Sequence, residues 1–277
     1  MRVPQRKPIA IGVATLVVLV AGLGYVVGVY RTEYRLRPYL WRGNSELQAL
    51  ETRYGSTRNS RYGEEWIVRD FFQDRRDGVF VDVGANHYQR DSNTYYLESQ
   101  LGWSGLAIEP QSKFAADYRA HRPLTTFVPS FVSDVTDSKA TLYVPSNDLI
   151  ASFDQHFAET ESHSATHPLA VRTMTLDDIL DRHGIREVDF LSIDVELHEP
   201  QALKGFSIER FRPLLVGVES HAPVRQQILD YFATHGYVVI GKYLRADGEN
   251  LWFAPLGQVR SESFHEVADS HAGAGNH

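Results

Sequence analysis

Residues 79–86 read Val79-Phe80-Val81-Asp82-Val83-Gly84-Ala85-Asn86. The apolar, mostly β-branched run predicts a short buried strand. Gly84 then lets the backbone turn sharply and approach a ligand closely. Working outward, Ser92–Leu101 is helix-like and is closed by Gly102. Leu106-Ala107-Ile108 is a second short strand ending at Glu109-Pro110. Ser112–His121 reads as the next helix, and Thr126–Val132 and Ala140–Val144 as extended stretches. Thr175-Leu176-Asp177-Asp178 opens a helix in the manner of a capping box, with Gly184 as its C-cap. Val188–Ile193 is a buried strand ending at Asp194, and Leu214–Val218 another ending at Glu219. Val224–Thr234 is a helix stopped by His235-Gly236, and Tyr237–Ile240 and Leu251–Ala254 finish the sheet. Upstream, Trp66, Ile67, Phe71 and Phe72 form one helical stripe within Glu64–Phe72, and a short helix is expected near Glu46–Tyr54.

Strands alternating with helices imply an α/β fold whose mostly parallel sheet is covered on both faces. Such sheets bind ligands beyond the carboxyl ends of their strands. Asp82, Gly84, Glu109, Asp194 and Glu219 are therefore candidate site residues. Glu109 follows Gly84 by about 25 residues, the place where a carboxylate accepts hydrogen bonds from ribose hydroxyls. A dinucleotide fold would also want G-x-G-x-x-G, and only Gly84 of those glycines is present. That argues against an NAD-dependent oxidoreductase and for a nucleoside cofactor without phosphate, such as S-adenosylmethionine.

The chain has 277 residues and a net charge of −7. The charge leaves no basic field for nucleic acid. There are no cysteines, which removes disulfides and thiolate metal sites. Ile9–Tyr30 carries no charge and as a helix would rise about 33 Å, enough to span a bilayer. We read 1–8 as a short basic N-terminus and 9–30 as an uncleaved transmembrane anchor; a signal peptide is the rival, but its apolar core would be shorter. The flanking Lys and Arg nearly balance and slightly favour a cytoplasmic domain. Residues 31–61 read as a juxtamembrane linker, 62–256 as the domain proper, and 257–277 as a disordered tail.

The loop Asp194-Val195-Glu196-Leu197-His198-Glu199 concentrates three acids and a histidine at a strand end. His198 has the ordinary pKa of a general base, and Asp194 or Glu196 could orient it or receive a substrate hydroxyl. His221 is a second base candidate on the same edge. Asp194, Glu196 and Glu219 also compose an alternative magnesium or calcium site, though no spacing selects one and no resident metal is expected. Residues 145–170 lack a continuous pattern and are read as a lid, with Tyr143, Phe153 and Phe157 supplying acceptor surface. Within it, His163 and His167 would share a helix face.

Several stretches in order resemble the FkbM family of methyltransferases, within the class I methyltransferase fold. They are Val79–Asn86, Ser92–Glu98, Leu101–Gly105 through Ile108-Glu109-Pro110, Thr175–Leu180, Asp189–Glu196, Lys204-Gly205-Phe206 and Val218-Glu219. The resemblance implies a Rossmann-like seven-stranded sheet with an antiparallel last strand, S-adenosylmethionine as methyl donor, and usually a hydroxyl acceptor. It implies that Asp82 and Gly84 line the methionine end of the cofactor, that Glu109 holds the ribose, and that Asp134 meets the adenine amine. Asn86 and Asn93, within the matching motifs, join this cofactor set. Two positions depart from the family: Tyr88 and Leu197 stand where it usually has glycine. The expected activity is methyl transfer to a hydroxyl of a glycan, lipid-linked sugar or similar membrane-associated acceptor. The alternative is a membrane-tethered binding or scaffold domain of the same fold.

Overall fold

The structure, a computed structural model, describes residues 45–258. The apolar run 9–30 and nearly all of the C-terminal tail lie outside these residues. No helix among the described residues is long and apolar enough to cross a membrane.

The described chain opens with α1 (Ser45–Tyr54) and α2 (Glu64–Phe72). Leu50 of α1 is buried with Trp66 and Ile67 of α2 and with Trp103, so α1 is fastened to the domain core. Seven strands form the main sheet: β1 (Val79–Val83), β2 (Ser104–Ile108), β3 (Thr125–Val128), β7 (Phe190–Ile193), β8 (Leu215–Glu219), β9 (Tyr237–Val239) and β10 (Asn250–Pro255). Their order is β3-β2-β1-β7-β8-β10-β9. The first five are mutually parallel. β10 runs antiparallel between β8 and β9, the expected reversed last strand. β4 (Phe131–Val132), β5 (Lys139–Val144) and β6 (His167–Met174) form a separate three-stranded sheet in the order β4-β6-β5.

Helices fill the connections between strands: α3 (Tyr95–Leu101), α4 (Ala115–His121), α5 (Gln155–Ser162), α6 (Leu176–Arg182), α7 (Glu199–Lys204), α8 (Ile208–Phe211) and α9 (Arg225–Thr234). Successive strand residues face opposite sides. Val81 and Val83 therefore enter one core with Ile193, Val218 and Phe232, while Phe80 enters the other with Phe190, Leu97 and Trp252. The same alternation turns Asp82 toward the Phe80 side, where α3 begins.

Three sequence expectations are corrected. The extended stretch expected over 126–132 is broken, with β3 in the main sheet and β4 paired to β6. Pro129 sits at the break and has no N–H to give a ladder. Residues 145–170 are not patternless, since a 3₁₀ turn (Asp148–Ile150), α5 and the start of β6 fall there. His163 and His167 share no helix face: His163 caps α5 in the left-handed region, and His167 opens β6. The ladder with β5 claims that residue and outweighs local helical spacing.

Candidate functional site

The carboxyl ends of β1, β2, β7 and β8 lie side by side, and the loops leaving them carry the expected site residues. Gly84 leaves β1 at φ 88°, and a Cβ built there would lie 1.7 Å from the Asp194 carbonyl oxygen. Glycine is thus required by the neighbouring chain, independently of any ligand. Its N–H donates to the Ile108 carbonyl at 2.9 Å, while the Asp194 N–H donates to the Val83 carbonyl. The three strand ends are stitched into one rim.

Glu109 is buried at this rim. Its Oε1 accepts from the Gln111 N–H at 2.9 Å and its Oε2 from the Asn86 N–H at 3.3 Å. Burial outweighs these bonds and pushes its pKa up to about 7. Asn86 itself is left-handed at φ 44°. Its amide nitrogen donates to the Asp148 carbonyl, and its buried Oδ1 finds no partner among the described residues. Tyr88 turns aside, stacking on His87 and His121 and packing toward Phe114 and Tyr118. The turn and the Glu109 carboxylate consequently converge without that ring between them.

Asp82 is wired into the scaffold. Its Oδ2 accepts from Thr94 Oγ1 at 2.8 Å, and it pairs in register with Ser192 on β7. Asn93 Nδ2 donates to Ser192 Oγ from the same loop. Burial raises the Asp82 pKa to about 6 against these hydrogen bonds and the Arg122 charge. Asp134 lies past β4, exposed, and lines a cavity of about 430 Å³ together with Ser133, Tyr143, Phe153 and His198.

Asp194, Glu196, Glu219 and His221 gather at the ends of β7 and β8. His221 Nε2 lies 3.3 Å from Glu196 Oε2 and 3.1 Å from Glu219 Oε2. The first contact has hydrogen-bonding geometry; Glu219 Oε2, close as it is, has charge contact but no hydrogen bond. Burial alone would lower the His221 pKa, yet the two carboxylates override it and hold the ring protonated. Burial raises Glu196 and Glu219 to about 7, where His221 pulls down and the neighbouring acids push up. Burial and the Glu219 charge raise Asp194 well above its ordinary value, although water still reaches it. One ligand atom each from Glu196, Glu219 and His221 falls within 4.8 Å of the others, so the set could also hold a cation, with histidine in the place expected for Asp194.

His198 is separated from these groups. Its Nε2 contacts Ser133 Oγ at 3.1 Å, and Phe131 and Phe153 flank its ring. Burial lowers its pKa to about 4, so it stays neutral and neither Asp194 nor Glu196 orients it. The 145–170 segment crosses this end of the sheet. Asp148 meets Asn86, Gln111 and Lys113. Ser152 Oγ donates to the Glu196 carbonyl at 2.7 Å, and Phe157 sets its edge against His221 at 5.1 Å.

Three functional-site neighbours escaped sequence reasoning. Glu199, noted only as one of three acids in its loop, is fully buried: Oε1 accepts from the Val195 N–H and Oε2 is unpartnered. Glu64 at the start of α2 is also buried and feels Asp247 and Asp194. Arg122 is buried in an ion pair with Glu98 and donates to the Tyr88 carbonyl and Thr94, holding the loop before α3. The Asp-x-Glu-x-x-Glu spacing of 194–199 was the one local signal for Glu199. The other two depend on contacts distant in sequence.

The sequence model of the methyltransferase FkbM domain matches residues 82–239. No curated protein matches the chain.

Proposed function

The chain belongs to the FkbM methyltransferase family, and on that footing we propose that it transfers a methyl group from S-adenosylmethionine to a hydroxyl of a membrane-associated acceptor, such as a glycan or lipid-linked sugar. The observation that carries this reading is the convergence of the Gly84–Asn86 turn with the buried Glu109 carboxylate. Each Glu109 oxygen accepts one backbone N–H and keeps a lone pair for a ribose hydroxyl. The buried, unpartnered Asn86 Oδ1 fits an ammonium or amine donor. Bound there, the cofactor supplies a methyl group on an electrophilic sulfonium.

The remaining chemistry falls to the chain's own residues. Glu196 takes the acceptor hydroxyl proton, its raised pKa near the working pH suiting a general base. The protonated His221 fixes that carboxylate, and Glu219 holds His221 from the other side. Asp194 receives the hydroxyl, a role its exposure to water supports. The 145–170 segment packs over Glu196 and His221 at the same end of the sheet. The apolar run 9–30 supports a membrane location with the domain on the cytoplasmic side, where the donor is made.

The test is label transfer from methyl-tritiated S-adenosylmethionine to fractions of a membrane extract. Label in a glycan or lipid fraction is expected; none in any fraction, with no binding of S-adenosylhomocysteine, leaves only the tethered scaffold. Activity that survives EDTA assigns the cluster to proton handling, whereas loss restored by Mn²⁺ assigns it to a cation.

A further inference from the structure

A second cavity, of about 460 Å³, opens next to this site, lined by Arg58, Ser60, Arg61, His87, Arg90 and Asp91 among others. The size is that of a small-molecule site. Its chemistry is one-sided: three guanidiniums and one carboxylate in a chain whose net charge is −7. Arg58 and Arg61 stack on Trp66 and Tyr62, and no carboxylate among the described residues lies in ion-pair contact with either. Arg90 has only a long contact with Asp91, at 3.8 Å. His87 adds a donor. Its Nδ1 accepts from the Gln89 and Arg90 N–H groups, which leaves the ring proton on Nε2.

The cavity adjoins the reacting centre on two sides. His87 follows Asn86 directly in the chain. Arg61, which lines the cavity, lies in the field of Asp194 and Glu196. We infer that this cavity seats a phosphate-class anion carried by the methyl acceptor, with Arg58, Arg61, Arg90 and His87 as its donors. The inference rests on the methyl-transfer reading for the word acceptor, but anion binding itself does not. Planar guanidiniums match phosphate oxygens in paired, charge-assisted hydrogen bonds. The cavity exceeds what a bare anion needs, so the anion would arrive attached to a larger polar group.

The experiment titrates inorganic pyrophosphate into the full chain in nonionic detergent by calorimetry, against Arg58→Gln/Arg90→Gln. Saturable binding that weakens with salt is expected, and the double variant should lose about tenfold or more in affinity. No binding by the unaltered chain, or equal binding by the variant, overturns the proposal. Should the variant fail to fold, phenylglyoxal modification of the unaltered chain decides. Pyrophosphate should protect Arg58 and Arg90, and unprotected arginines would overturn the proposal. Glucose 6-phosphate and vesicles containing phosphatidic acid separate the sources: preference for the first assigns a soluble phosphorylated sugar, for the second a lipid phosphate. S-adenosylhomocysteine is titrated separately, so a failure of the methyl-transfer reading is seen apart from a failure of the anion pocket.

Discussion

Nε2 of His221 stands 3.3 Å from Oε2 of Glu196 in hydrogen-bonding geometry, and the proton of that pair stays on the imidazole. A ring held between two carboxylates keeps its charge, so in the proposed reaction the histidine serves as an orienting cation and Glu196 as the base. His198, the base candidate favoured by the sequence, is neutral and faces Ser133 instead.

Glu196→Gln should therefore lower kcat by about 10²–10⁴ and leave S-adenosylhomocysteine affinity within about threefold. The pH dependence carries the sign: the carboxylate must be ionised to accept a proton, so kcat/KM should rise with pH through about 7. Asp194, Glu219, His221 and Arg61 are the charges facing it. A pH profile flat from 6 to 8 would remove Glu196 from this role.

Glu109→Gln keeps the shape but loses the ionic acceptor. Binding of S-adenosylhomocysteine should weaken by about 1.5–3 kcal/mol, the loss of a hydrogen bond to a charged group. Isothermal titration reads it, and unchanged affinity would detach Glu109 from the ribose.

Gly84→Ala places a methyl group 1.7 Å from the Asp194 carbonyl oxygen at a positive φ. Strain and overpacking together should cost on the order of 3 kcal/mol. Urea unfolding checks this, and a variant within about 0.5 kcal/mol of the parent would contradict the close approach.

The buried acids make stability depend on pH. Burial raises Glu64 and Glu199 to about 8, so between their ordinary value and 8 the folded state binds more protons than the unfolded chain. The stability they contribute is greatest at acid pH and is lost as pH rises toward 8. His198, lowered to about 4, acts in the opposite sense below its ordinary value and drops out above it. Glu199→Gln should therefore flatten the decline between pH 6.5 and 8. Thermal midpoints in matched-ionic-strength buffers measure it, and an unchanged slope would deny Glu199 its burial.

Much of the fold was legible in the sequence. Val79–Val83, Leu106–Ile108 and Phe190–Ile193 are buried on both faces and cannot be mistaken for amphipathic strands. The carboxylates that follow them were legible for the same reason, since parallel topology delivers them to one edge. The partnership of His221 with Glu196 was not, because it joins residues from two crossovers and depends on how β7 and β8 are registered. Leu197 marks a subtler limit. Its departure from the family's glycine was visible, but only the backbone shows that it adopts φ 78°, a glycine-like conformation, while its side chain packs against the core. The path of Tyr88 was equally hidden, because its stacking partner His121 lies far along the chain.

The segment spanning Asp148 to Phe157 touches the Gly84–Asn86 turn through Asn86 and the acid cluster through Glu196 and His221. Such a strap ties access to proton inventory. Lifting it would flood the acids, water would restore their ordinary acidity, and protons would leave; laying it down would call them back. Each opening and closing of the cleft would thus be written in the pH of the medium around it.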